Sequence, residues 1–314
     1  MSSSKGKIAI VGSGLIGSSW AAIFASGGFD VVLYDISEEQ LSRARTNVTN
    51  NLKKLDDKGL RRGNLSQEQA LALVTSTTNL SEAVKGANYV QESTLETVEA
   101  KQKIFKELDS VVDAGTVIAS SSSTIPASQF TETLVHRSQC LIAHPVNPPL
   151  YLPLTELVPA PWTTKEVVDK AAHVLSSVGQ EPIRLKKEVL GFAVNRLQFA
   201  LLAESWRLIA DNVLDVADLD KVMSSGLGPR YAFHGPMATT HLNAFGVRDY
   251  YQRYAAGIRR VLADFGPNPT FDEPRVIDKL EAELGAEMPV EQLSSHMAHR
   301  EECLAQIASL KKTL

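Results

Sequence analysis

Cysteine and net charge are both scarce in this 314-residue sequence, and each shortage excludes a class of protein. The two cysteines, Cys140 and Cys303, lie far apart and match no metal-ligand or redox spacing, so we expect reduced thiols, no disulfide and no metal site. The chain has 32 Lys and Arg residues against 36 Asp and Glu residues, a formal net charge of -4. This balance lacks the basic excess that binds phosphate backbones, and we therefore expect no nucleic-acid partner.

Long apolar runs are absent as well. The first apolar stretch, residues 8–11, is too short for a membrane span or for the apolar region of a signal peptide. Residues 311–314 match neither a peroxisomal nor a prenylation signal. A content of 44% hydrophobic and 22% charged residues, without low-complexity tracts, is typical of a globular protein. We expect a cytoplasmic protein without a membrane partner, and the length favours two domains.

The hydrophobic pattern divides the chain into two parts. Short apolar runs alternate with helical patterns in the first part, and its opening strand, helix and strand predict parallel neighbouring strands. Strands are predicted at residues 7–11, 31–35, 74–76, 89–92, 117–120, 140–144 and 155–158. After residue 183, helical spacing continues through residues 192–212, 217–224, 250–265 and 291–310. The sequence thus predicts an α/β, doubly wound Rossmann-type parallel sheet domain (1–187), followed by an all-helical C-terminal domain (188–314).

A glycine motif, Gly12-Ser13-Gly14-Leu15-Ile16-Gly17, joins the first predicted strand to the first helix. Gly12, Gly14 and Gly17 permit a tight turn and a close approach to a pyrophosphate, which the amides that open the helix, at Leu15 and Ile16, would hold. Asp35 ends the next strand, where its carboxylate would bind ribose hydroxyls and repel a 2′-phosphate. We therefore predict that residues 1–187 bind NAD rather than NADP.

Two alternatives to an NAD site remain at this stage. The glycines could form only a tight turn, with Asp35 capping the following helix. A flavin would use the same motif, but the chain lacks an obvious second segment for contacting one.

His144 is the candidate base for a reaction that removes a hydride from an alcohol, because such a reaction needs a group to take the hydroxyl proton. It ends a predicted strand, where ligands gather in open α/β sheets. Glu156 lies near the start of another apolar strand, where an unpartnered carboxylate would be costly. We predict that the two side chains pair. The alternatives are a strand-end histidine with a satisfied hydrogen bond and a surface carboxylate on an edge strand.

These motifs resemble the 3-hydroxyacyl-CoA dehydrogenase family over nearly the whole chain. The resemblance rests on motifs in matching order and spacing: 12–17 with Asp35, 96–101, the serines at 120–123, 144–148, Glu156 and 191–196. Residues 144–149 and 226–236 are similar to the lambda-crystallin branch of the family rather than to its acyl-CoA enzymes.

The resemblance implies that His144 is the catalytic base and that Glu156 orients it. It also implies that Ser123 and Asn195 bind the reacting oxygen, as in an oxyanion site. The family has Asn-Thr-Ser-Ser near this position, so Ser122 remains an alternative to Ser123. The serines could also cap a helix, and Asn195 could stabilise the helix that it begins.

The resemblance further assigns Glu96 and Lys101 to the cofactor site and Asn147 to the substrate site. Read without it, Glu96 and Lys101 would be ordinary charges on a solvated helix face.

Two clusters of cations favour different substrates. Arg230 lies in a glycine-containing turn of the helical domain, where its guanidinium could hold a small carboxylate and thus complete a substrate site with Ser123, Asn147 and Asn195. The helical hairpin after the second strand carries cations that could contact the phosphates of CoA or form a solvated face: Lys53, Lys54, Lys58, Arg61 and Arg62.

We therefore predict an enzyme that oxidises the 3-hydroxyl of a small hydroxy acid with NAD as acceptor. The resemblance to the lambda-crystallin branch implies the specific substrate, L-gulonate, which would be oxidised to 3-dehydro-L-gulonate. Alternative substrates are 3-hydroxyacyl-CoA and carnitine. A different class of function is a crystallin-type structural protein or an NAD-binding protein without turnover, although the complete set of site residues favours an enzyme. The apolar helices at 192–210 and 250–262 predict a homodimer through the second domain.

Overall fold

The computed structural model describes residues 4–314 and contains two compact units. The first unit extends to Arg196 and is completed by Ala298–Leu314, while the second comprises Leu197–Met297. The C-terminal end of the chain therefore belongs to the sheet-containing unit. The division into domains at residues 187 and 188 stays a prediction.

An eight-stranded sheet forms the centre of the first unit, in the order β3-β2-β1-β4-β5-β6-β7-β8. The strands are β1 (Lys7–Val11), β2 (Asp30–Tyr34), β3 (Val74–Thr77), β4 (Tyr89–Glu92), β5 (Val117–Ser120), β6 (Cys140–Pro145), β7 (Leu154–Pro159) and β8 (Glu181–Arg184). All neighbouring pairs are parallel except β6 and β7, which are antiparallel. This topology confirms the predicted α/β class and its seven predicted strands. The eighth was missed because it is a mostly exposed edge strand with a proline and without an apolar pattern.

Helices cover both faces of this sheet. They are α1 (Leu15–Ser26), α2 (Glu38–Asp57), α3 (Gln67–Ala72), α4 (Leu80–Val84), α5 (Val98–Asp109), α6 (Ser128–Thr131) and α7 (Lys165–Ser176), with a 3-10 turn at Arg137–Gln139. Ser37 caps α2 by accepting a hydrogen bond from the Gln40 amide. Ser66 and Gln69 form a reciprocal capping box that begins α3, the second helix of the predicted hairpin.

Two apolar layers lie on opposite faces of the sheet. Along β1, Ile8 and Ile10 belong to the layer beneath α1, α2 and α7, whereas Ala9 and Val11 belong to the layer beneath α5. This alternation buries both faces, as a doubly wound sheet requires. The loops that follow β1, β4, β5 and β6 are then free to carry polar side chains at one edge of the sheet.

The second unit is helical, as predicted. Its helices and those that connect it to the first unit are α8 (Val194–Ala210), α9 (Val216–Lys221), α10 (Gly228–Tyr231), α11 (Pro236–Leu242), α12 (Val247–Asp264), α13 (Pro274–Glu287) and α14 (Leu293–Lys311), with a π turn at Val222–Leu227 and a 3-10 turn at Val290–Gln292. Ile209, Val216 and Val276 form its small buried core. Within residues 4–314, none of the helices combines the length and apolarity that crossing a bilayer requires.

Candidate active site

The glycine loop is shaped to let an anion approach its backbone. Gly12 has a φ of 95°, and a Cβ on Gly17 would lie 1.9 Å from the Gly12 carbonyl oxygen, so a side chain is excluded there. A Cβ on Gly14 would meet no atom within 4 Å. Gly14 caps α1 without a side-chain hydrogen bond, which leaves the first amides of the helix available. These features fit the pyrophosphate of a dinucleotide.

Asp35 is fixed beside this loop. Its Oδ2 accepts hydrogen bonds from the Ser13 amide at 2.9 Å and from Ser13 Oγ at 2.7 Å. The helix-cap alternative for Asp35 is wrong, because Ser37 occupies the cap position of α2. The half-buried carboxylate therefore lies next to the anion-binding turn, where a ribose attached to the pyrophosphate would reach it.

His144 and Glu156 are directly opposite each other on the antiparallel strands β6 and β7. His144 Nδ1 lies 2.8 Å from Glu156 Oε2. The other carboxylate oxygen accepts hydrogen bonds from the backbone amides of Ala193 at 2.8 Å and Val194 at 3.0 Å. Glu156 is fully buried, and β8 lies beyond its strand, so the surface-carboxylate alternative is wrong. With Nδ1–H donated to Glu156, the lone pair of the imidazole is on Nε2.

A cavity of about 270 Å³ opens beside His144. We call it the active-site cavity; its lining residues are Ile16, Ser93, Thr94, Glu96, Lys101, Ser121, Ser123, His144, Pro145 and Asn147. Six of these residues were predicted from the sequence: Ile16, Glu96, Lys101, Ser123, His144 and Asn147. The cavity thus combines a candidate base with residues from the glycine loop and from the loops after β4, β5 and β6.

Two serines of the run at residues 120–123 have different roles: one lines the cavity, and the other is buried and hydrogen-bonds to neighbouring residues. Ser123 lines the cavity, whereas Ser122 is fully buried and its hydroxyl donates to Glu96 Oε1 and to the Ile125 carbonyl. The geometry therefore favours Ser123 over Ser122 as the substrate contact. Asn195 donates from Nδ2 to the Ser123 carbonyl oxygen at 2.7 Å, which holds the serine segment against the start of α8.

Lys101 forms a buried ion pair with Glu92, a residue that was not predicted from the sequence. Its Nζ is 2.8 Å and 3.0 Å from the two carboxylate oxygens of Glu92, and 3.6 Å from Glu96 Oε2. Lys101 is only 1% exposed, so the solvated-face alternative is wrong for this residue. Glu92 also accepts a hydrogen bond from Ser120 Oγ at 2.6 Å. A carboxylate inside a fully buried strand was the signal for Glu92, by the same argument that identified Glu156.

Glu96 is held ionised at the cavity wall. Burial on its own raises the pKa of a carboxyl group, but hydrogen bonds from Ser122, Ser123 and Thr124 and the charge of Lys101 outweigh it. The pKa of Glu96 therefore lies below its ordinary value. Glu96 Oε1 accepts from the Ser123 amide at 2.8 Å, so the same carboxylate orients the serine loop.

Leu15 and Arg230 are among the predicted residues that do not line this cavity. The Leu15 side chain is 79% exposed, and only its backbone can serve the anion site. Arg230 lies on α10 in the second unit, where its side chain is exposed, and its role stays a prediction.

The hairpin cations are already partnered. Lys53 pairs with Asp57 at 2.7 Å and Arg61 with Asp56 at 2.5 Å, both within the hairpin. The middle of α14 supplies two further partners, since Glu301 lies 2.6 Å from Lys54 and Glu302 lies 2.5 Å from Lys58. Arg62 donates to backbone carbonyls of Gly179 and Leu150.

Comparisons with known proteins agree with this architecture. The family model for 3-hydroxyacyl-CoA dehydrogenase, NAD binding domain, matches residues 7–189, and the model for the C-terminal domain matches residues 191–288. The lambda-crystallin homolog of Homo sapiens is 46% identical over 99% of this chain and 98% of that protein. The L-carnitine dehydrogenase of Oceanobacillus iheyensis is 34% identical over 83% of this chain and 80% of that protein.

A solved structure extends the similarity to the whole fold. The NAD+-dependent 5-formyl-3-hydroxy-2-methylpyridine 4-carboxylic acid 5-dehydrogenase superposes with a TM-score of 0.84, at 28% identity and over 97% of both chains. The glycine loop and Asp35 fit the NAD that these family matches specify. The chain belongs to the 3-hydroxyacyl-CoA dehydrogenase family and is an NAD-dependent hydroxy-acid dehydrogenase of the Rossmann type.

Proposed function

We propose that this protein oxidises the 3-hydroxyl of a small hydroxy acid, L-gulonate to 3-dehydro-L-gulonate, with NAD as acceptor. The observation that carries the proposal is the His144–Glu156 dyad at the wall of the active-site cavity. The choice of L-gulonate is supported by the sequence segments 144–149 and 226–236 and by 46% identity to a lambda-crystallin homolog.

The proton leaves through His144. Nε2 accepts the proton of the 3-hydroxyl, and the resulting imidazolium is stabilised by the carboxylate of Glu156 at Nδ1. The amides of Ala193 and Val194 hold that carboxylate in place, so the ring cannot turn away from the cavity. Bound NAD supplies the hydride acceptor.

Ser123 steadies the substrate oxygen as negative charge develops on it. Its hydroxyl donates to Glu96 Oε1 at 3.2 Å, so it has to rotate to donate to the substrate oxygen, and its carbonyl accepts a hydrogen bond from Asn195. Asn195 therefore acts at least in part by positioning Ser123. Asn147, at the cavity wall, is assigned to the substrate.

The cofactor contacts follow from the same arrangement. Gly12, Gly14 and Gly17 admit the pyrophosphate, the amides at Leu15 and Ile16 hold it, and Asp35 binds the ribose. Glu96 and Lys101 line the cavity that contains His144, so we assign them to the part of the cofactor nearest the chemistry.

The ion pairs of the hairpin lysines favour a small acid over an acyl-CoA as substrate. Lys54 and Lys58 are partnered by Glu301 and Glu302, and cations neutralised in this way attract a polyphosphate less strongly. L-Carnitine is the second candidate, because of the similarity to L-carnitine dehydrogenase and because it too is a 3-hydroxy acid with a free carboxylate. We assign that carboxylate to Arg230.

The domain roles and the assembly complete the proposal. Residues 1–187 bind NAD, and residues 188–314 contact the substrate and form a homodimer in the cytoplasm. Exposed apolar side chains on α8 and α12 support the dimer: Leu197, Phe199, Leu202, Tyr254 and Val261.

The test is a substrate screen with the purified protein. NADH formation is followed with L-gulonate, L-carnitine and 3-hydroxybutyryl-CoA, and kcat/KM is expected to be highest for L-gulonate. Efficient turnover of the CoA ester with none of L-gulonate would contradict the assignment. Absence of turnover with every acid, despite NAD binding, would favour the non-enzymatic alternative.

A further inference from the structure

A second cavity of about 270 Å³ lies within the first unit and shares no lining residue with the active-site cavity. We call it the C-terminal cavity. It lies among the connection between α2 and α3, the loop at residues 148–153, and the last turns of α14. Nothing in the proposed dehydrogenase reaction uses it.

Arg62 brings an unneutralised charge to this cavity. Its two terminal nitrogens donate to the carbonyls of Gly179 at 3.1 Å and Leu150 at 2.8 Å, while its Nε is buried without a hydrogen-bond partner. In residues 4–314 no carboxylate lies within ion-pair distance of this guanidinium. Burial lowers the pKa of Arg62 to about 10, as expected for a cation with too little solvation.

Lys312 adds a second cation to the same cavity. Its Nζ donates to the Gly59 carbonyl at 3.1 Å, and burial together with the positive charge of Arg62 lowers the pKa of Lys312. Glu181, an exposed residue at the cavity, forms no ion pair with either cation among the described residues. An anion would therefore be attracted to the Arg62 end.

Most of the other lining side chains are apolar, although Arg61 and Lys311 also line the cavity. Leu60 and Leu150 are 2% and 4% exposed, and Ile307 is exposed at the cavity. Burial raises the pKa of Tyr151 to about 12, and the charges of nearby carboxylates add to the effect, so its hydroxyl remains a donor. Since one water molecule takes up roughly 30 Å³, the cavity has the volume of about nine waters, which is enough for a small organic acid. These features together match an anion with a short apolar tail.

The loop at residues 146–153 connects the two cavities. Asn147 lines the active-site cavity, and Leu150 lines the C-terminal cavity and accepts a hydrogen bond from Arg62. The Tyr151 amide donates to the Pro148 carbonyl at 3.1 Å, which makes the segment between them compact. A ligand that draws Arg62 away from Leu150 would move the loop that carries Asn147.

We propose that the C-terminal cavity binds a medium-chain carboxylate, with its head on Arg62 and its tail against Leu60 and Ile307. Its occupancy changes the activity of the enzyme through residues 146–153. The binding half of this inference does not depend on which hydroxy acid is the substrate.

Binding is tested on the full-length, NAD-saturated protein by calorimetric titration with octanoate. We expect one equivalent per chain, with octanoate bound at least about tenfold more tightly than acetate, because of its tail, and than 1-octanol, because of its charge. Inorganic phosphate or acetate that binds as tightly as octanoate would indicate an adventitious ion only. Equal binding of octanoate and 1-octanol would overturn the anion site.

Variants locate the bound molecule. Arg62→Met is expected to weaken octanoate binding at least about tenfold, while Lys53→Met, whose charge is met by Asp57 and which does not line the cavity, changes it less than about twofold. If Arg62→Met does not fold, Lys312→Met and the cavity-filling Ile307→Trp provide the test, and each is expected to weaken octanoate. Unchanged binding in these variants would place octanoate elsewhere.

Kinetics test the connection to the active site. Octanoate is expected to change kcat or KM for the hydroxy acid without competing with it, and Ile307→Trp is expected to abolish this effect. Simple competition with the hydroxy acid would mean binding in the active-site cavity and would overturn the inference. Binding at one equivalent without any kinetic change would overturn the regulatory half.

Discussion

Glu92 and Lys101 form a fully buried ion pair beneath the active-site cavity, with Lys101 Nζ 2.8 Å from Glu92 Oε1. One partner left alone would be an uncompensated buried charge. We expect Glu92→Gln to lower the free energy of unfolding by about 3 to 5 kcal/mol. Urea denaturation measures this loss, with Glu107→Gln, at an exposed glutamate on α5, as the control. The double variant Glu92→Gln/Lys101→Met should recover part of the loss. A loss of less than about 1 kcal/mol in Glu92→Gln is typical of an exposed ion pair and would contradict the prediction.

The acid-base dyad predicts a coupled loss of rate. His144→Ala should lower kcat at least about a hundredfold with NAD affinity nearly unchanged, because only the proton transfer is removed. Glu156→Gln should affect the same step, and the double variant should be less impaired than the product of the two single effects. His173→Ala, at an exposed histidine on α7, is the control. Independent, multiplicative losses would argue against a dyad.

The choice of cofactor depends on Asp35. The wild-type protein should prefer NAD over NADP by more than about tenfold in kcat/KM, since a lost ribose contact and a repelled phosphate are each worth roughly 1 to 3 kcal/mol. Asp35→Ala should narrow this preference, whereas Asp30→Ala, at the exposed start of β2, should leave it intact. Equal use of both cofactors by the wild type would falsify the assignment.

Arg230 discriminates between the substrates. If its guanidinium holds the carboxylate of a small acid, Arg230→Met should raise KM for L-gulonate at least about 30-fold, because truncating one partner of a desolvated charge pair costs about 2 to 5 kcal/mol. KM for NAD should stay the same, and so should the kinetics of Arg259→Met, at an exposed arginine on α12. An acyl-CoA substrate has no free carboxylate there, and its turnover would be insensitive to Arg230.

Glu96 predicts a specific acid sensitivity. Its pKa in the folded protein lies below the ordinary value of 4.5, so the unfolded chain binds more protons in that window. The stability that Glu96 contributes is therefore present above about pH 4.5 and is lost as the pH falls through the lower, folded-state pKa. Stability curves from pH 3 to 6, about the range in which carboxyl groups titrate, should be flatter for Glu96→Gln than for the wild type. Identical slopes would mean that Glu96 titrates normally.

Features that depend on residues close together in the chain were predictable from the sequence. The glycine loop and seven of the strands follow from local turn chemistry and apolar spacing. The family resemblance added roles for residues such as Ser123, whose own neighbourhood is only a run of polar side chains.

Only the tertiary structure decided which distant groups meet. The sequence favoured a pair of His144 and Glu156, but it took the antiparallel register of β6 and β7 to place them opposite each other and the start of α8 to supply the amides that hold Glu156. The sequence did not show which residue pairs with Glu92. The folded connection between β4 and α5 brings Lys101 within ion-pair distance of it. The return of α14 to the hairpin was equally invisible, since its carboxylates lie more than two hundred residues from Lys54 and Lys58. Local patterns specify where strands and helices form, whereas pairing across such separations depends on how the sheet orders them.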